Sequence, residues 1–282
     1  MKFTKMHGIG NDYVLVNRIQ EPILDPRALS VRMCQRHTGI GADGLVLLES
    51  SSAADFTMRI FNADGSESES CGNALRCIAG YIRSKKLTGK TEFSLETGSG
   101  IRGISILSGD DEAYRIRVDM GEPVLTPDKI PVKLPGDRVL GYTLRMDGRL
   151  YTISAVGMGN PHCIVFTDDP DWMDIQTIGP LIENHALFPN KTNVEFMKVV
   201  DRGHIRLRVW ERGVGETMAC GTGACAAMVA AFLSGRVDTT VVAHLRGGSL
   251  LVEWNLQNNH VCQTGAAEHV FNGDWPDDTI AG

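Results

Sequence analysis

The segment MRIFNADGSESESCG (residues 58–72) has a second version, LRVWERGVGETMACG (residues 207–221), and the relation between them decides the fold. Slid by 149 residues, the two align without a gap: Arg59 meets Arg208, Glu67 meets Glu216, Cys71 meets Cys220 and Gly72 meets Gly221. A strand-like apolar pair precedes each polar loop, Ile60-Phe61 in one copy and Val209-Trp210 in the other. The same offset lays GIGN (8–11) on GMGN (157–160) and TEFSLETGS (91–99) on TVVAHLRGG (240–248). Four matches at one offset across most of the chain mark an internal duplication.

Each copy reads as short alternating strands around one or two helices. Strands are expected over 12–17, 45–49, 56–61, 91–95, 101–106 and 114–119, and again over 151–155, 162–166, 205–210, 240–245 and 249–254. Helices are expected over 26–36, 72–84 and 221–234. The last of these, GTGACAAMVAAFLSG (221–235), is apolar nearly all round, as a helix buried on every side must be. A curved sheet wrapped around a helix buries it economically, so the expected class is α+β with two pseudo-symmetric halves. The N-terminal half is 1–118 and carries Cys71. The C-terminal half is 119–262 and carries Cys220. The Pro-rich stretch 120–136 reads as the connector, and the tail 263–282 is expected to join the first half.

With 282 residues, a net charge of −6 and 43% apolar residues, the chain is of globular composition. Its acidity argues against nucleic acid or an anionic membrane as partner. No apolar run approaches a membrane span, and the start MKFTKMHGIGNDYVLVN has no secretory pattern, so a cytoplasmic location is expected. Seven cysteines, an odd number, then favour reduced thiols over a disulfide framework. No dinucleotide fingerprint, phosphate loop or PLP-type lysine context appears, and no cofactor is expected. The Cys71/Cys77 and Cys220/Cys225 spacings are too wide for the usual zinc patterns, so no metal is expected.

Cys71 and Cys220 each stand at a predicted helix start, followed by Gly-Asn or Gly-Thr. Unpartnered N–H groups and the positive end of the helix dipole lower a thiol pKa there from about 8.5 toward neutrality. The same N–H groups hold a carboxylate. Two symmetry-related thiols suit inversion of a carbon centre, where a base removes a proton from one face and an acid returns one to the other.

At this level of detail the chain resembles the diaminopimelate epimerase family. The resemblance rests on KMHGIGNDY, HTGIGADGL, FNADGSESESCGNALRC, GNPHCIVF, NKTNVEF, ERGVGETMACGTGACA and GAAEHVFNG, which run from end to end. It implies the epimerase fold, with an active site in the cleft between the halves. It also implies cofactor-independent interconversion of LL- and meso-2,6-diaminopimelate, a step toward lysine and peptidoglycan precursors. The catalytic pair would be Cys71 and Cys220, with His162 and Glu211 tuning them or relaying protons. Asn11, Asn62, Asn160, Asn193, Glu211 and Arg212 would bind the small-molecule substrate, and Gly72-Asn73 and Gly221-Thr222 would supply helix-start N–H groups. A homodimer is implied as well.

The offset is informative where the copies differ. Asn62 faces Glu211, Ala63 faces Arg212, Gly44 faces Asn193 and Tyr13 faces His162. Unsymmetric flanks on a symmetric core fit a substrate with one reacting and one non-reacting end. The family often carries a substrate-binding side chain where Gly44 stands here, which places one polar contact in question. Asp43 reads as a turn or structural acid. If the halves close on the substrate, a Cys71–Cys220 disulfide is expected without reductant. A proline-type racemase is the alternative enzyme, opposed by the charged pair Glu211-Arg212. A non-catalytic binding protein and a thiol redox protein are the readings from other classes.

Overall fold

The computed structural model describes residues 1–69, 71–110 and 112–276; the last six residues of the tail assigned above to the first half lie outside them. The chain divides into two compact units, one made of residues up to Val118 together with those from Gly265 on, the other of Asp119–Thr264.

The first unit opens with β1 (Lys2–Gly8), β2 (Asn11–Asn17), α1 (Pro26–Met33), β3 (Gly44–Glu49), β4 (Phe56–Asn62) and the two-residue β5 (Glu67–Ser68). It continues with α2 (Gly72–Ser84), β6 (Glu92–Thr97), β7 (Gly100–Gly109) and β8 (Ala113–Asp119). The pairings are antiparallel for β1–β2, β3–β4, β6–β7 and β7–β8, and parallel for β2–β3 and β4–β6. Helix α2 packs against β1, β2, β3, β4 and β7, so the sheet curves around it. Ala74, Leu75, Cys77, Ile78, Ala79 and Ile82 of α2 are fully buried.

The second unit repeats this order. It contains β9 (Val139–Met146), β10 (Arg149–Gly157), β11 (Pro161–Phe166), α3 (Ile175–Glu183), β12 (Asn193–Asp201) and β13 (His204–Glu211). Then come β14 (Gly215–Thr217), α4 (Gly221–Leu233), β15 (Thr240–Leu245), β16 (Gly248–Asn255) and the start of β17 (His260–Asp274), which from Gly265 on belongs to the first unit. Parallel β11–β12 sets His162 beside Asn193, as parallel β2–β3 sets Tyr13 beside Gly44. Helix α4 packs against β10, β11, β12, β13, β15 and β16, and its residues Ala224–Ala231 are all fully buried.

The 149-residue offset therefore maps α2 onto α4 residue for residue and β4 onto β13 within one residue. Gly10 (φ 83°), between β1 and β2, and Gly159 (φ 86°), between β10 and β11, take the same left-handed conformation, which a side chain would resist. The ion pair Arg59–Glu67 recurs as Arg208–Glu216, each bidentate. In the second unit β9 pairs with β10; in the first, the far end of β17 pairs with β1 in the equivalent place.

Several elements depart from the sequence expectation. Residues 120–136 are not a free connector: Val124 bridges Gly157, a short 3-10 turn covers Pro127–Lys129, and Ile130 and Val132 join the second unit's core. Helix α3 and strands β1, β9 and β12 were not anticipated, and α1 stops at Met33 rather than continuing to 36.

Candidate active site

Both singled-out cysteines occupy the N-cap position of the buried helix of their unit. Cys71 (φ −148°, ψ 123°) precedes α2 and Cys220 (φ −122°, ψ 112°) precedes α4, and neither helix receives a capping hydrogen bond from its N-cap side chain. The contrast lies within the molecule. Asp25 caps α1 by accepting from the Arg27 and Ala28 amides, and Asp174 caps α3 by accepting from Thr177. The two surface helices thus have the usual acidic caps, whereas the two helices headed by cysteine carry a thiol at that position; a helix start suits a carboxylate ligand.

Around Cys71 the partners include a phenol and an amide. Its sulfur lies 3.0 Å from the Tyr13 hydroxyl, which in turn lies 2.5 Å from Asn11 Oδ1. Asn73 Nδ2 donates to the same oxygen at 3.1 Å, and Asn11 Nδ2 donates to Asp43 at 2.6 Å. Asp43 thus orients Asn11, besides pairing with Arg36 at 2.7 Å. The buried Arg76 guanidinium donates to Asn73 Oδ1 at 2.6 Å. Asn62 sits apart at the exposed end of β4, donating to Ser66 Oγ at 2.9 Å. Gly44 cannot be filled in place, since a Cβ there would lie 2.8 Å from the Phe61 carbonyl oxygen.

Around Cys220 the partners are charged. The sulfur is buried, 3.4 Å from Thr222 Oγ1. Burial pushes its pKa well above the ordinary thiol value, reinforced by the negative charges of Glu211 and Glu195; Thr222 and the Gly223 amide act the other way. This corrects the expectation of a lowered thiol pKa at this helix start, because desolvation outweighs the helix end. Glu211 is itself pushed up by burial, opposed by the Thr217 hydroxyl, which donates to it at 2.6 Å, and by its hydrogen bond with Cys220.

His162 is fully buried between two partners. Its Nε2 lies 2.7 Å from Asn160 Oδ1 and its Nδ1 lies 2.7 Å from Glu195 Oε1. Glu195 lies directly against α4, where a Cβ on Gly223 would come within 2.6 Å of Oε1; glycine there lets the helix start close on the carboxylate. Asn193 is engaged at both ends of its amide, donating to the Pro161 carbonyl and accepting from the Arg212 amide, each at 2.9 Å. Arg212 is exposed, with Nη1 donating to the Asn190 carbonyl at 3.1 Å. The turn carrying Glu211-Arg212 is pinned from below by buried Glu183, which accepts from Trp210 Nε1 at 2.7 Å and from the Gly213 amide at 3.0 Å.

The first unit thus brings Cys71, Asn11, Gly72 and Asn73 together and leaves Asn62 apart. The second gathers Cys220, Gly221, Thr222, Glu211, His162 and Asn160, with Asn193 and Arg212 joined by their own bond. The sequence reading pairs Tyr13 with His162 but gives it no role, and it does not single out Glu183 or Glu195. The pairing of Tyr13 with His162 at the common offset was the available signal for one of them. Among the described residues, no group of three or more His, Cys, Asp and Glu is arranged to hold a metal ion, and no helix is long and apolar enough to cross a membrane.

Solved structures place the fold among racemases and epimerases. A probable proline racemase from Agrobacterium radiobacter superposes with TM-score 0.72 at 16% identity, covering 99% of this chain and 94% of that one. A hydroxyproline epimerase from Agrobacterium vitis gives 0.69 at 15%, covering 97% and 91%. At such identities the likeness is one of fold. Sequence is more specific: the family model described as diaminopimelate epimerase matches residues 3–126 and 154–270. The proteins named diaminopimelate epimerase from Agathobacter rectalis and Pelotomaculum thermopropionicum are 48% and 50% identical, each covered over 99% of its length and covering 97% and 98% of this chain. The chain belongs to the diaminopimelate epimerase family.

Proposed function

We propose that the protein interconverts LL- and meso-2,6-diaminopimelate without a cofactor, by proton transfer between Cys71, Cys220 and one α-carbon. The observation that carries this reading is the pair of uncapped, cysteine-headed helices at equivalent places in the two copies. Relatives of that name at 48–51% identity over nearly the whole chain support it.

One thiolate takes the α-proton and the opposite thiol returns one to the other face; reversing the reaction exchanges the roles. The helix-start N–H groups of Gly72-Asn73 and Gly221-Thr222 bind the reacting carboxylate and stabilise charge delocalised onto it. Cys220, kept protonated by burial and by two nearby carboxyl groups, enters the cycle as the acid. Arg212 clasps the distal carboxylate and Glu211 accepts from the distal ammonium, with Asn11, Asn62, Asn160 and Asn193 fixing the substrate's orientation. His162 and Glu211 adjust the thiols. An α-proton is weakly acidic, so preorganised donors and exclusion of water carry much of the rate. The reading includes a homodimer in the cytoplasm, acting in the supply of lysine and peptidoglycan precursors.

Proton NMR of LL-diaminopimelate in D₂O with reduced enzyme, run beside L-proline, tests it. Deuterium should enter one Cα of diaminopimelate, and epimerisation should vanish in Cys71→Ala and in Cys220→Ala. Exchange into proline alone would transfer the assignment to a proline-type racemase. No exchange into either would sink the enzymatic reading.

A further inference from the structure

The Tyr13 hydroxyl stands between Cys71 and Asn11, 3.0 Å from the sulfur and 2.5 Å from Asn11 Oδ1. A hydroxyl has one hydrogen, and an amide oxygen only accepts. With Cys71 protonated, Tyr13 donates to Asn11 and the thiol's hydrogen goes to the Tyr13 oxygen at 3.0 Å, the nearer of its two acceptors, Asn11 Oδ1 lying 3.8 Å from the sulfur. The ring is 5% exposed, on the strand that also carries Asn11, and Asn11 is fixed by Asp43 and Asn73. The hydroxyl is consequently held against the sulfur by packing. A second feature points the same way. His162, the residue 149 positions on, bonds Asn160 Oδ1 through its ring as Tyr13 bonds Asn11 Oδ1. Both copies place a hydrogen-bonding ring at this position, and in the first copy it reaches the thiol directly.

We propose that Tyr13 is a positioning residue for Cys71: it accepts the thiol's hydrogen in the protonated state, and turns its own O–H onto the sulfur once that proton has left. The inference rests on Cys71 being one of the two bases. The proton lost by Cys71 goes to substrate or water, and the phenol keeps its own, since an ordinary phenol titrates near 10 and an ordinary thiol near 8.5. The hydrogen bond at the sulfur changes direction and the one from Tyr13 to Asn11 Oδ1 is given up, that oxygen keeping the hydrogen bond from Asn73 Nδ2; no covalent bond changes besides the S–H. The effect is to hold the thiolate at one place and to favour its formation. The other ionisable groups on neighbouring elements of this unit include Arg76 and Cys77 on α2, Asp12 and Lys5 beside each other on β2 and β1, Asp43 next to Asn11, Arg36 paired with Asp12 and Asp43, and His7 on β1 beside Glu268 on β17. They are common to the native protein and a Tyr13→Phe variant, and cancel in the comparison.

The test is the pH dependence of Cys71 alkylation by iodoacetamide, followed by peptide mass mapping, in the native protein and in Tyr13→Phe. The Cys71 midpoint should rise by about one pH unit, roughly tenfold less thiolate at a given pH, with the Cys220 midpoint unmoved. An unchanged or lowered Cys71 midpoint overturns the proposal. Native protein carrying ¹³Cζ-tyrosine gives a second reading that needs no Tyr13 variant to fold. One tyrosine resonance should titrate with the Cys71 midpoint and stop doing so in Cys71→Ala; absence of such a resonance also overturns it. Neither readout requires turnover, so failure of the epimerase reading, seen as absent deuterium exchange, is told apart from failure of this one.

Discussion

Cys71 and Cys220 head equivalent helices in two copies of one design, yet the groups beneath the two sulfurs differ in kind. Cys71 is half-buried among a phenol and two amides. Cys220 is buried beside Glu211, with the His162–Glu195 pair beneath the same helix start. Duplication kept what both thiols need: an uncapped helix start, and an Asn whose amide oxygen meets a ring. A carboxylate beside the ring was then placed in one copy only, whereas the first copy buries the Arg76 guanidinium on α2. The position equivalent to Glu195 in the first copy is Val46, fully buried on β3. Equivalent helix starts thus carry thiols in unlike surroundings, and burial with two nearby carboxylates keeps the Cys220 thiol protonated.

The harshest way to break this comparison is to give the first copy the second copy's charge. In Val46→Glu the new carboxylate would face Tyr13, whose hydroxyl is committed to Asn11 and Cys71, in place of an imidazole that could pair with it. A buried, unpaired carboxylate costs about 3–5 kcal/mol, read as a lowered urea midpoint. A loss under about 1 kcal/mol would mean that the first copy already contains a latent partner, and that the asymmetry lies elsewhere.

Next in size is Glu211→Gln, which removes a negative charge beside Cys220 and keeps the shape. The Cys220 alkylation midpoint should fall, because one of the charges raising its pKa is gone, while burial, the larger cause, remains. Epimerisation should fall about 100-fold, equivalent to about 2.7 kcal/mol of barrier. A rate loss with no movement of the Cys220 midpoint would leave Glu211 as a substrate ligand only.

Burial of thiols also makes an alkaline prediction. The Cys77 pKa is pushed up to about 12 by burial, and those of Cys163 and Cys220 well above the ordinary value of 9.0. A raised native pKa means that between about pH 9 and the native value the unfolded chain has lost the proton while the native state keeps it. Stability therefore falls with rising pH across that window, by about 1.4 kcal/mol per pH unit for each such thiol, and is unaffected below it. Cys77→Ala should remove one thiol's share from the first copy and Cys220→Ala one from the second. Equal slopes in the native protein and both variants, measured by urea unfolding from pH 8.5 to 10, would contradict the burial account.

The elements that were legible in the sequence are those whose signal is local or repeated. The offset located α2 and α4, the paired strands, and both N-cap cysteines. What was missed depends on tertiary context. Helix α3 contains Gly179 and Pro180, two helix breakers, and its glycine is there because a Cβ would lie 2.6 Å from Trp210. The offset from α1 would have located it all the same. Glu195, in NVEFM, reads as the solvent-facing residue of an alternating strand; only the packing of α4 against β12 reveals that it is buried. The pKa of Cys220 failed for a related reason: the helix-end effect can be read from position, whereas desolvation needs the whole unit around the sulfur.

The smallest effect sharpens the comparison most, because it concerns what the two copies share. Serine is a good N-cap and cysteine a poor one, so replacing either thiol by a hydroxyl offers the helix the acceptor that α1 and α3 receive from Asp25 and Asp174. Cys71→Ser should gain about 0.5–1 kcal/mol of stability while abolishing epimerisation, since a serine hydroxyl does not ionise in the working range. Cys220→Ser should gain less, because its hydroxyl would enter a fully buried site and must recover the cost of leaving water before any capping benefit appears. A larger gain at 220 than at 71, in urea unfolding at pH 7, would reverse the order of burial argued above. A loss at both would mean that the uncapped N–H groups are already satisfied, and the helix starts would then have nothing left to offer a substrate carboxylate.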